Sequence, residues 1–215
     1  MLRRRAYQDL LRWKKEATRK ALCIIGARQI GKTTLIREFG KKEYEYFAEI
    51  NFVTDKKAAN IFDGKYTTET IITNLTAYLQ QPLEPGKTLI LFDEVQECPQ
   101  VRTAIKFLVE DGRFDYIESG SLLGVRYKDI QSYPVGYEQI LPMYPLDFEE
   151  FLVAANEEIL LDYIKDCFDK KLQVSDFIHT RLIDAFYKYY DKTKTIPKHS
   201  SARAYHIQGE RNYME

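Results

Sequence analysis

Nine residues, Gly26-Ala27-Arg28-Gln29-Ile30-Gly31-Lys32-Thr33-Thr34, constrain this chain more than any other stretch of its 215. They fit the pattern G-x-x-x-x-G-K-[ST] without a mismatch, and that pattern describes a loop that surrounds phosphate. Two glycines permit a tight turn in which successive backbone N–H groups point inward. The lysine neutralises phosphate charge, and the hydroxyl after it reaches Mg²⁺. The flanks agree with this reading. Ala21-Leu22-Cys23-Ile24-Ile25 is a short continuous apolar run, as expected of a strand covered on both faces. Leu35-Ile36-Arg37-Glu38-Phe39, followed by Gly40, reads as a short helix with a glycine stop. Strand, loop and helix in that order predict an α/β fold with a nucleoside triphosphate site. The residues placed at the phosphates are Gly26, Arg28, Gln29, Ile30, Gly31, Lys32, Thr33 and Thr34, with Thr34 in the first turn of a helix whose positive end faces them.

A second apolar run, Thr88-Leu89-Ile90-Leu91-Phe92, ends in Asp93-Glu94. Two carboxylates therefore stand at the carboxyl end of a buried strand, where open α/β sheets take their ligands. Beside a phosphate loop, Asp93 is expected to share Mg²⁺ with Thr33, and Glu94 to orient and deprotonate an attacking water. Lys32 and Glu94 are thus catalytic candidates. Ser119 is the third: the strand Phe114 to Ile117 leads to Ser119-Gly120-Ser121, and a hydroxyl there suits the γ-phosphate or its water. It suits an ordinary Ser-Gly turn equally well.

Two further strands have edge character. From Tyr44 to Phe52, Tyr44, Tyr46, Ala48, Ile50 and Phe52 alternate with Glu43, Glu45, Glu49 and Asn51, Phe47 being the one exception, which is the period of a strand with one wet face. Ile140-Leu141-Pro142-Met143 contains a proline, which cannot donate to a ladder and is confined to an edge. The fold expected is a P-loop NTPase: three layers, α/β/α, around a mainly parallel five-stranded sheet of order 5-1-4-3-2. Helices are expected over Leu2 to Arg19, Thr68 to Leu79, Gln100 to Glu110, Phe148 to Ala155 behind an Asp147/Glu150 capping box, Ile159 to Phe168, and Phe177 to Tyr190 behind Ser175 or Asp176. This divides the chain into a P-loop domain (1–155), a helical extension or fragment of a further domain (156–190) and a polar tail (191–215) expected to be disordered.

Charge narrows the partners little. Lys+Arg and Asp+Glu number 32 each, so no global positive field argues for nucleic acid or an anionic membrane. The basic face of Leu2 to Arg19 reads as a solvated helix face or as a local nucleic-acid contact. Cys23, Cys98 and Cys167 are odd in number and widely spaced, which suits reduced thiols rather than disulfides or zinc. His179, His199 and His206 have no ligand-like spacing. With no apolar leader and no run long enough to span a membrane, the expected location is the cytoplasm.

The phosphate loop, Leu91-Phe92-Asp93-Glu94-Val95-Gln96, Ser119-Gly120-Ser121 and Tyr144-Pro145-Leu146-Asp147-Phe148-Glu149-Glu150-Phe151 together resemble the prokaryotic AAA-type ATPases that carry an uncharacterised C-terminal domain. The resemblance covers about residues 1–155. It implies that Ser119 is the sensor residue after the fourth strand, that Gln96 lies near the site, and that Arg126 contacts phosphate or a neighbouring subunit. Such proteins usually enter a nuclease-like domain through a Gly-Gly-x-Pro segment. Here the corresponding place reads Lys194-Thr195-Ile196-Pro197, as expected of a truncated or divergent member. The expectation is an ATP-binding, Mg²⁺-dependent ATPase serving a protein partner or DNA. The alternative is a nucleotide-gated interaction module that does not hydrolyse. Oligomeric state and the work done by hydrolysis stay open at this level.

Overall fold

The computed structural model describes residues 4–16, 20–64, 67–121 and 136–193. Arg126, His199, His206 and the stretch 194–215, including Lys194 to Pro197, lie outside the described residues. The described residues divide into two compact units after Gln8 and after Met143: one lies within Asp9–Met143, and residues 4–8 with 144–193 form the other.

The larger unit holds the sheet. Its strands are β1 (Ala21–Gly26), β2 (Tyr46–Asn51), β3 (Thr88–Asp93), β4 (Asp115–Ser121) and β5 (Glu138–Pro142). They are ordered β2-β3-β4-β1-β5, every neighbouring pair parallel, which is the expected order read from the other edge. Of the inner strands, β1 and β3 carry the continuous apolar runs because both their faces are covered; all six residues of β3 are buried. The alternating β2 and the proline-ending β5 are the edges.

Helices cover both faces. On one side, α2 (Lys32–Glu43) lies against β2, β3 and β4. On the other, α3 (Thr68–Leu79), α4 (Pro99–Asp111) and a 3-10 helix (Lys56–Phe62) close over Ile50, Phe52, Ile90, Phe92 and Tyr116 in the main apolar core. Phe92 stacks on Tyr116 with ring centroids 6.0 Å apart and takes Phe62 edge-on at 5.5 Å. The helix α1 (Arg5–Lys15) contributes Trp13, whose ring lies 6.4 Å from Phe39 and whose Nε1 donates to Lys20 O at 2.9 Å.

Two local expectations are corrected. Gly40 does not stop α2, which continues to Glu43; the glycine is needed because a Cβ there would lie 2.2 Å from the Phe47 ring of the next strand. Ser119-Gly120-Ser121 is not a turn either, since β4 runs through to Ser121.

In the second unit, Asp147 accepts from Glu150 N while the Glu150 carboxylate accepts from Asp147 N, the reciprocal cap that opens α5 (Phe148–Ala154). Arg4 Nε reaches Glu150 at 3.3 Å. The helices α6 (Glu158–Asp169) and α7 (Asp176–Thr193) follow, and Phe148, Phe151, Phe186 and Tyr189 cluster with centroids 5.4–6.4 Å apart.

Candidate functional site

The loop after β1 is shaped by close packing. A Cβ on Gly26 would lie 2.3 Å from Met143 O and 2.7 Å from Ile30 Cδ1, so only glycine lets the chain turn there. The backbone then passes through left-handed positions at Gln29 (φ 63°) and Gly31 (φ 89°), and Gly31 caps α2. Ile30 is tucked inside, whereas Arg28, Gln29 and Thr34 are exposed on the rim. The Lys32 Nζ is folded back into the loop, donating to Gly26 O at 3.0 Å and Ala27 O at 2.8 Å. Burial holds this ammonium below its usual pKa; Glu94 and Asp93 act against that shift, and Arg28 adds to it.

Asp93 is the hub. It is 1% exposed at the end of β3, and three neighbouring elements aim donors at it. The Thr33 hydroxyl of α2 donates to Oδ1 and Oδ2 at 3.2 and 3.1 Å, Asn51 Nδ2 of β2 to Oδ2 at 2.7 Å, and the buried Ser119 hydroxyl of β4 to Oδ1. The register explains the convergence: Asn51 and Ser119 flank Asp93 as its lateral partners on β2 and β4, and all three point to the face covered by α2. With every strand parallel, these ends share one edge of the sheet with the phosphate loop.

An AAA domain is matched over residues 18–152, more than half of the chain, and that span contains every group just described. The chain belongs to the AAA domain family. No curated protein matches it. Nucleotide binding of the AAA ATPase kind is what this membership supports. Among the described residues no helix is long and apolar enough to cross a membrane.

Within this AAA domain, the loop residues, Asp93 and Ser119 come together, and Glu94 follows directly on β3. Glu94 takes a left-handed backbone (φ 57°) and receives a hydrogen bond from Gln96 Nε2. Asn51 is the residue that sequence reasoning missed. Its signal was faint: a single polar residue on the wet face of an edge strand, significant only once β2 is paired with β3. It is well anchored, since its Oδ1 accepts from Val53 N at 3.0 Å and Thr54 N at 3.1 Å while its amide turns to Asp93.

The donor set suits a small hard cation. Ligands of octahedral Mg²⁺ sit about 2.0–2.1 Å from the metal, so adjacent ligand oxygens lie about 3 Å apart. The Thr33 and Asp93 oxygens are separated by 3.1 and 3.2 Å. The AAA domain has one other close ligand group among its described residues, Cys23, Glu118 and Glu138, with ligand atoms within 4.8 Å of one another. There the Arg102 guanidinium donates to both Glu138 oxygens at 2.8 and 2.6 Å, which sets a fixed positive charge where a cation would go.

Proposed function

We propose that this AAA domain is a Mg²⁺-dependent ATPase that cleaves ATP to ADP and phosphate. One observation carries the reading: the Thr33 hydroxyl and the Asp93 carboxylate meet at cis-ligand spacing at the sheet edge that also holds Lys32 and Glu94. Lys32 and the amides of Gly26 to Thr34 bind the phosphates, and Lys32 exchanges its two loop carbonyls for phosphate oxygens. Thr33 and Asp93 hold the metal, which when bound neutralises charge on the β- and γ-phosphates. Asn51 and Ser119 orient the Asp93 carboxylate through the hydrogen bonds they donate to it. Ser119 also hydrogen-bonds the γ-phosphate or its attacking water. Glu94 accepts the proton of the attacking water.

The same reading divides the chain at about residues 155 and 190 into an ATPase domain, a helical extension and a tail. It places the protein in the cytoplasm, a location supported by three buried free cysteines, Cys23, Cys98 and Cys167. ATP hydrolysis then serves a protein or DNA partner.

Phosphate release with Mg-ATP, with and without DNA, tests the proposal. Glu94→Gln should bind ATP with wild-type affinity and turn over about 10²- to 10⁴-fold more slowly, the usual contribution of a positioned base. Undiminished turnover removes Glu94 from its role. A wild-type chain that binds ATP and releases no phosphate is instead a nucleotide-gated interaction module.

A further inference from the structure

Glu94 is held in place by a residue that the reaction as described does not use. Its left-handed backbone (φ 57°, ψ 48°) is followed by a single 3-10 turn, Val95–Glu97, closed by Glu97 N–H on Glu94 O at 3.0 Å. A non-glycine residue in that region is strained, so the surroundings must impose it. The result is that the chain doubles back and the Gln96 amide nitrogen donates to Glu94 Oε2. A carboxylate only accepts, so the amide must present its nitrogen to Glu94 and turn its oxygen away. That oxygen, Gln96 Oε1, is buried and has no hydrogen-bond partner. Among the described residues the Gln96 side chain makes no other hydrogen bond. A half-satisfied buried amide is costly by itself, and its one directional contact is with the proposed base.

Charge gives that contact a purpose. Glu94 and Asp93 are the carboxylates whose charge acts on the Lys32 ammonium. An ion pair between Glu94 and Lys32 would remove the base from water and the lysine from phosphate, and the Lys32 Nζ is instead held by Gly26 O and Ala27 O. We propose that Gln96 is the positioning residue for Glu94: its amide N–H tethers Oε2, holds the carboxylate off Lys32 and leaves Oε1 as the oxygen that takes the proton. This rests on the ATPase reading above.

The test is a double-mutant cycle on kcat, KM and ATP affinity. Gln96→Met keeps the length and bulk of the side chain and removes the donor. It should lower kcat by about 10- to 100-fold, the effect of displacing a catalytic group by about 1 Å, with KM and ATP affinity within about threefold of wild type. Gln96→Asn, whose amide is one methylene too short to reach, should behave likewise. In the Glu94→Gln background the same substitutions should change the residual turnover by less than about twofold, since the group they position is gone. A kcat in Gln96→Met within twofold of wild type overturns the inference and leaves the ATPase reading standing. So does an equal loss in both backgrounds, which would mark Gln96 as acting on the fold. Thermal unfolding and ATP binding of each variant separate that case from simple misfolding. Wild-type protein that binds ATP without releasing phosphate overturns both readings together.

Discussion

Asp93 and Glu118 are both buried carboxylates on neighbouring strands of one sheet, 1% and 0% exposed, and the fold treats them in opposite ways. Asp93, on the face under α2, accepts hydrogen bonds from Thr33, Asn51 and Ser119. Glu118, one residue before Ser119 and therefore on the other face, has no hydrogen-bond donor at either oxygen; its nearest cation is Arg102 Nε at 3.8 Å. Arg102 itself is committed to Glu138 at 2.6 Å, so one guanidinium serves two carboxyl groups. Burial, the close Glu138 and only partial relief from Arg102 push the Glu118 carboxyl well above the usual carboxylate range. As a neutral acid, Glu118 can donate to Glu138, which gives one of its oxygens a partner. Donors therefore separate the two carboxyl groups: Asp93 is given three, and Glu118, given none, is kept neutral to fit between a sheet and a helix.

The strongest way to break this contrast is to remove the shared guanidinium. Arg102→Met leaves Glu118 and Glu138 facing each other without a counter-charge, with side chains 0% and 1% exposed. Loss of one partner from a buried ionic cluster costs about 3–5 kcal/mol, so urea unfolding at neutral pH should show destabilisation of that order. A loss under about 1 kcal/mol would show that the acids need no cation, and the contrast with Asp93 would fail. At the phosphate end the same logic predicts a smaller effect. Ser119→Ala removes one of three donors from Asp93 and should cost about 1.5 kcal/mol of stability, the lower end for a bond to a charged group, because Thr33 and Asn51 remain. It should also weaken Mg-dependent ATP binding measured by titration, whereas Arg102→Met should leave the affinity of the folded fraction unchanged.

These two clusters also differ in how readable they were. The phosphate loop is a local pattern, and Asp93 ends a buried strand, so residues 26–34 and 93 carry their own signals. The strand order could be inferred because edge strands differ from inner ones in alternation and proline content. Glu118, Glu138 and Arg102 carry no such signal. Glu118 and Glu138 meet because β1 lies between β4 and β5, a consequence of topology rather than spacing. Arg102 follows Val101 on α4, where a charged residue ordinarily faces water. Asn51 was hidden for the same reason, since its partner Asp93 is 42 residues away. Gly40 misled in the other direction: a glycine near a helix end is usually a stop, and here it makes room for Phe47.

The finest test of the contrast is the pH dependence of stability, and its sign is fixed by the direction of the Glu118 shift. An unfolded glutamate releases its proton near pH 4.3, while folded Glu118 holds its own to higher pH. Between those two values the folded chain binds more protons than the unfolded chain, so stability falls as pH rises, by up to about 1.4 kcal/mol per pH unit. The contribution is fully present below the unfolded value and lost as pH passes the folded one. The groups facing Glu118 are Cys23 of β1, Glu138 of β5 and Arg102 of α4. Burial and both glutamates raise the Cys23 thiol too, which adds a slope of the same sign only above about pH 8.5, where an unfolded thiol ionises. Depressed acids such as Asp111, held low by the Arg113 side chain, contribute the opposite slope, so the comparison must be made by difference. Urea midpoints of wild type and Glu118→Gln should diverge from about pH 4.5 upward, with the variant gaining relative stability as pH rises to 8. Parallel curves would mean that folded Glu118 holds its proton no more tightly than the unfolded chain does, and the two carboxylates would then differ only in their donors.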